Sequence, residues 1–208
     1  MVLLYYVIYK IYKLYGGDFL FKDKLLKLFM KQKMMRTVIT ALIPIVLASI
    51  YFYGWRTLVL LVVVTFFGIL TEYLFEKTRK KKVSEAVIVS AMLYTMTLPP
   101  TTPYWIAIVG IVFGIFFGKA VFGGFGRNVY NPALVARAFV YVTFPEPLTV
   151  SWVHVASGFP GGFGTYLTKT VETVSQATPM LLFRDSGAMV PKLNLFLGNV
   201  SGSIGETS

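Results

Sequence analysis

Two apolar stretches decide most of what this chain can become. Residues 37–53 contain no charged side chain, and residues 57–75 contain one, Glu72. As helices they would measure about 25 and 28 Å, close to the ~30 Å hydrocarbon thickness of a bilayer. Only Gly54-Trp55-Arg56 separates them, a tight turn with a tryptophan suited to the headgroup layer. Basic clusters flank the pair. Lys22, Lys24, Lys27, Lys31, Lys33 and Arg36 precede it, and Glu76-Lys77-Thr78-Arg79-Lys80-Lys81-Lys82 follows. Two spans between two basic flanks place both flanks on the cytoplasmic side.

Composition supports that reading. Charged residues are 14% of the 208, against ~25% in soluble domains, and mean hydropathy is +0.68. A disordered chain is excluded, and the composition weighs against an ordinary water-soluble enzyme. The net charge of +11 would point to nucleic acid in a soluble protein. Here the lysines border apolar runs and no nucleic-acid motif accompanies them. The chain has no cysteine and one histidine, so it cannot by itself ligate an iron–sulfur cluster, and it has little scope for a zinc or bis-histidine haem site. Redox work would require an organic cofactor.

The remaining segments are less regular. Residues 1–15 are apolar but interrupted by Lys10 and Lys13, and read as an interfacial segment. Residues 84–98 make a short helix stopped by Pro99-Pro100, and residues 104–122 a full span with Lys119 placed to snorkel at its cytoplasmic end. Residues 132–144 form a second short helix, with Asn131 as N-cap and Pro132 at the first helical position. Short helices bounded by Gly or Pro clusters are read as broken helices, tolerated at membrane depth where protein covers the backbone. Parity then puts residues 146–191 outside, where the only basic residues are Lys169 and Arg184.

The expected architecture is therefore all-α and polytopic, with about six transmembrane or half-membrane helices. Residues 1–36 form an interfacial and basic cytoplasmic segment, and 37–145 a five-helix membrane repeat. Residues 146–191 form an extracytoplasmic loop, and 192–208 open a further helix, so that the chain reads as cut short.

Several residues could carry chemistry. In Ser175-Gln176-Ala177-Thr178-Pro179, the proline drives Thr178 toward an extended backbone and small Ala177 leaves room around its hydroxyl. Such a hydroxyl can accept a phosphoester, though an ordinary threonine before proline reads the same way. In Gly123-Gly124-Phe125-Gly126-Arg127-Asn128-Val129-Tyr130-Asn131-Pro132, glycines permit close backbone approach and a helix N-terminus follows. That suits a flavin edge or a phosphate, and equally an interfacial turn with an Asn-Pro cap. Arg137 is a charge inside an apolar helix, a functional-site hypothesis by position. Glu72 lies near a helix end, and His154 reads as a surface residue. Gly161-Gly162-Phe163-Gly164 reads as a flexible loop.

In order and spacing, three of these stretches resemble one family. They are Leu98-Pro99-Pro100-Thr101-Thr102-Pro103, Gly118-Lys119 through Asn131-Pro132-Ala133-Leu134 to Arg137-Ala138-Phe139, and Ser175-Gln176-Ala177-Thr178-Pro179. The family contains the B-type membrane subunit of the sodium-translocating NADH:quinone oxidoreductase and the D-type membrane subunit of the Rnf complex. Residues 198–208 resemble its Gly-Ser-x-Gly-Glu-x-Ser segment, which includes Glu206.

The resemblance implies a redox-carrier subunit of a bacterial cytoplasmic-membrane complex that couples electron transfer to Na⁺ or H⁺ movement. It implies FMN joined to Thr178 by a phosphoester, with Ser175 and Ala177 in the attachment segment. It implies a non-covalent riboflavin for which Gly124, Asn128 and Asn131 are candidate contacts. The implied partners are membrane, flavin and iron–sulfur subunits of the same complex, and an extracytoplasmic flavin transferase. It also implies a second helical repeat beyond residue 208. Two other readings compete: a flavin-free channel or transporter built on broken helices, and a truncated assembly subunit.

Overall fold

The computed structural model describes residues 29–149, 152–153, 155–156, 161–164, 178–187, 189–198 and 200–205. The charge-free run becomes helix α1, Lys33–Tyr53, and the second run α2, Trp55–Thr78. Both are long and apolar enough to cross a membrane. Helix α1 begins before its apolar stretch and α2 ends beyond its own, where flanking lysines, good helix formers, add a turn. Gly54 joins them with φ 82, a backbone that favours glycine, and its N–H closes α1 onto Ile50 O at 2.8 Å.

Three shorter apolar helices follow: α3, Ala86–Thr97; α4, Tyr104–Ile115; and α5, Pro132–Thr143. Residues 33–143 thus hold two long and three short α-helices. Helix α4 continues into a π-helical turn, Phe116–Ala120, in which Val121 N–H reaches back to Phe116 O at 3.0 Å. A two-residue parallel pair, β1 (Phe29–Met30) with β2 (Val83–Ser84), ties the start of the described region to the α2–α3 connection. This pairing is the one departure from an all-α reading among the described residues.

Glycines set the helix packing. Apolar side chains gain little from leaving lipid for protein, so close approach must come from small residues. Gly110, Gly114 and Gly118 recur every four residues along α4 and its π turn. A Cβ at Gly114 would stand 2.6 Å from both Ala136 Cβ and Pro132 O on α5. Beside this seam Phe113 stacks on Phe139, with centroids 3.9 Å apart. Leu60, Val64, Val87, Ala91, Tyr94, Ile111 and Val140 fill the centre between α2, α3, α4 and α5.

Beyond α5 lie helix α6 (Pro145–Thr149), a 3₁₀ turn (Gly161–Gly164), helix α7 (Pro179–Ser186) and helix α8 (Lys192–Leu197). The 3₁₀ turn corrects the expectation of a flexible loop. It is wedged against the α1–α2 corner: a Cβ on Gly162 would meet Gly54 N at 2.4 Å and Ile50 O at 2.7 Å. Its Phe163 carbonyl accepts from Trp55 Nε1 at 2.8 Å.

The helix expected from residue 192 is also shorter than a spanning element. Gly198, in the left-handed region at φ 73, ends it after six residues. The chain then runs back along the end of α3, where Gly205 N–H donates to Met96 O at 2.9 Å and Ile204 N–H to Leu98 O at 3.1 Å. Those carbonyls belong to the end of α3, where helical geometry leaves acceptors without intrahelical donors.

Candidate functional sites

The two ends of the bundle carry different chemistry. At the end where α3 breaks, Leu98 turns extended (φ −87, ψ 151) ahead of Pro99-Pro100. Three successive carbonyls past the break meet one side chain. Arg56, buried at the start of α2, donates to Pro100 O at 2.9 Å, Thr101 O at 3.0 Å and Thr102 O at 3.2 Å. Its guanidinium also lies 5.1 Å from the Tyr104 ring centroid. The Pro-Pro break predicted from sequence is real, and a cation satisfies it.

At the opposite end, α2 runs out beside the π turn. There Lys119 is buried and ion-paired: its Nζ lies 2.7 Å from Glu72 Oε2 and also bonds Ser84 Oγ. Glu72 Oε1 accepts from Ser84 N–H at 2.9 Å and Ser84 Oγ at 2.7 Å. The snorkelling expected for Lys119 does not occur. The π turn carries the side chain inward, to the Glu72 carboxylate and the Ser84 hydroxyl.

The glycine-rich loop closes over this pair. Phe125 lies 5.9 Å from the Lys119 ammonium, and Gly124 N–H donates to Lys119 O at 3.1 Å. Gly124 has φ +95, and a Cβ there would stand 2.4 Å from Glu76 Oε1, so only glycine fits without a shift. Glu76 is buried, with Arg79 Nη1 3.8 Å from its Oε1. A further pair lies nearby: Arg36 Nε donates to both oxygens of Glu85, each at 3.0 Å, and Glu85 also accepts from Gln32 N–H at 2.9 Å.

The residues singled out from sequence fall in different places. Asn131 caps α5 as expected, its Oδ1 accepting from Ala133 N–H at 3.0 Å. Asn128 Nδ2 donates to Tyr130 O at 3.1 Å within the same turn. Gly124, Asn128 and Asn131 therefore share the end of the bundle that holds Glu76. Residues 161–164, by contrast, sit at the Gly54 corner, the other end of α2. Arg137 is half-buried on α5.

Thr178 is the N-cap of α7, with φ −62 and ψ 158, and its Oγ1 accepts from Leu181 N–H at 3.4 Å. The extended backbone read from Pro179 is thus present, and the hydroxyl stands at a helix N-terminus. In the last turn of α7 Arg184 Nε bonds Asp185 at 2.7 Å, holding that exposed carboxyl below its usual range. Ser175, Ala177, His154 and Glu206 lie outside the described residues.

Sequence reasoning misses the Glu72–Lys119–Ser84 cluster. The signal is there: two opposite charges, each alone inside an apolar segment. Taken separately, each reads only as a charge near a helix end.

Long charge-poor helices, a broken helix repaired by a buried arginine and an internal ion pair define an α-helical chain of membrane-protein type. The sequence profile of the NQR2, RnfD, RnfE family matches residues 29–208, and the chain belongs to that family. It is 38% identical over 138 residues to the B-type subunit of a Na(+)-translocating NADH-quinone reductase of Klebsiella pneumoniae, covering 66% of this chain and 32% of that protein. To the protein of the same name from Yersinia pestis it is 35% identical over 165 residues, covering 74% and 39%. The chain spans about a third of the length of these curated relatives.

Proposed function

We propose that this chain is part of a membrane subunit of an ion-translocating electron-transfer complex, and that Thr178 carries FMN through a phosphoester. The observation that carries the proposal is the placement of Thr178. It heads a helix in extended conformation, directly before Pro179, in a chain of the NQR2, RnfD, RnfE family.

The residues fit the group. A phosphoester at Oγ1 would bear negative charge at the N-terminus of α7, where the helix dipole and amide groups favour anions. Leu181 N–H already points at Oγ1. When bound, the flavin supplies the electron-transfer chemistry; the chain supplies position and electrostatics. Thr178 is an anchor, and the α7 N-terminus holds the linkage in one orientation.

The finer parts of the proposal rest on the family resemblance and the lysine distribution. Thr178 faces the extracytoplasmic side, where a flavin transferase modifies it, and membrane, flavin and iron–sulfur subunits are the partners. The translocated ion is Na⁺ or H⁺. A riboflavin beside Gly124, Asn128 and Asn131 would meet a turn in which both asparagines already serve the local backbone, while Gly126 faces open space.

The test is mass spectrometry of the Thr178 peptide, from full-length subunit expressed with an active flavin transferase. A gain of FMN less one water, mapped to Thr178 and lost in Thr178→Ala, is the expected result. An unmodified Thr178 alongside a modified control substrate would overturn the flavin reading and favour the flavin-free transporter.

A further inference from the structure

We infer that the outward face of α2 near its Thr78 end is a binding site for a phospholipid with an anionic headgroup. Phe66, Ile69, Leu70 and Tyr73 line an apolar surface groove of about 200 Å³. Phe66, Leu70, Tyr73 and Lys77 recur at i, i+4, i+7 and i+11, so the groove and Lys77 share one helix face. Phe66 is 60% exposed and Leu70 39%, so the described residues leave the groove open. From Phe66 to Tyr73 it runs about 10 Å along the axis, the direction a lipid chain takes in a bilayer.

Charge identifies the occupant. Lys77 lies at the end of the groove, its ammonium 5.6 Å from the Tyr73 ring centroid, and exposed Lys80 and Lys82 follow, while Arg79 and Lys81 turn to the other side, toward Glu76 and Gly123 O. The acids of the same helix, Glu72 and Glu76, are buried on its other side against Ser84, Lys119 and Gly124. An apolar slot ending in a patch of cations fits a hydrocarbon chain joined to a phosphodiester. An uncharged apolar helix from a neighbouring subunit would fill the groove and leave the lysine patch unmatched. The inference rests on the membrane reading of α2, not on the flavin.

The test is native mass spectrometry of the full-length subunit, recovered from membranes and offered equal phosphatidylglycerol and phosphatidylcholine. Wild type is expected to retain phosphatidylglycerol preferentially. Lys77→Gln should lower that retention roughly fivefold and leave phosphatidylcholine unchanged. Leu70→Trp, which fills the groove, should lower both, and Lys77→Arg should keep the preference. Equal retention of the two lipids by wild type, or unchanged phosphatidylglycerol in both Lys77→Gln and Leu70→Trp, overturns the site. So does cross-linking of Ile69→Cys to another subunit. Recovery of the protein from the soluble fraction would instead refute the membrane reading itself. Melting curves of all variants exclude unfolding as the cause, since Lys77 and Leu70 are exposed.

Discussion

Lys119 and Glu72, 47 residues apart in sequence, meet at 2.7 Å beneath the glycine-rich loop. Neither charge has access to water, so each depends on the other. Removing one partner from such a pair strands the other and costs about 3–5 kcal/mol. Glu72→Gln and Lys119→Met should each lower thermal stability in detergent by that order. The double variant should recover much of the loss, because two neutral side chains strand no charge. A double-mutant cycle on melting temperatures checks this, and additive losses would contradict it.

Arg56 is predicted to be irreplaceable by lysine. A compact ammonium cannot hold three carbonyls on neighbouring residues as a planar guanidinium does. Arg56→Lys should destabilise by about 1.5–3 kcal/mol, the worth of hydrogen bonds to a charged group, with stronger proteolysis at residues 99–102. Limited proteolysis of the variant, mapped by mass spectrometry, reads this out.

Tyr94 gives the opposite expectation. Among the described residues its buried hydroxyl has no hydrogen-bond partner, and it sits in a notch left by Gly110. Removing an unsatisfied polar group removes its desolvation penalty, about 1–3 kcal/mol at most. Tyr94→Phe should therefore be neutral or stabilising. Gly110→Ala should destabilise, since its Cβ would stand 2.4 Å from Val140 Cγ2 and overlap the Tyr94 hydroxyl. Paired with Tyr94→Phe the loss should be partly relieved. Melting curves of the three variants decide the matter.

Thr178 is the N-cap of α7 and the flavin anchor proposed above, and the two roles are separable. As N-cap it contributes about 1 kcal/mol to α7, which Thr178→Ser should keep and Thr178→Ala should lose. As anchor it requires a hydroxyl, so Thr178→Ser tests whether the transferase accepts serine. Amide hydrogen exchange across residues 180–186 reads the cap, and flavin fluorescence of the denatured protein reads the anchor.

Much of the architecture is legible in sequence because bilayer-scale helices announce themselves locally. Charge-free runs, the Pro99-Pro100 stop and the Asn131-Pro132 cap depend on adjacent residues, and each recurs in the structure. Gly161–Gly164 misleads for the converse reason. A glycine cluster looks the same whether it is loose or packed, and only the facing backbone of Ile50 and Gly54 distinguishes the two.

The sequence by itself determined where the helices between residues 33 and 143 lie, that the chain breaks at Pro99-Pro100, and that Thr178 would stand extended before a proline. These follow from hydrophobicity, proline geometry and capping, all local effects. Only the tertiary structure decided that Lys119 turns inward to Glu72, that Arg56 closes the break after α3, and that the glycine-rich loop lies against Glu76, with Gly124 at a positive φ that favours glycine. Those outcomes depend on which groups meet across 40 or more residues. Inside an apolar bundle, a charge goes where its partner is.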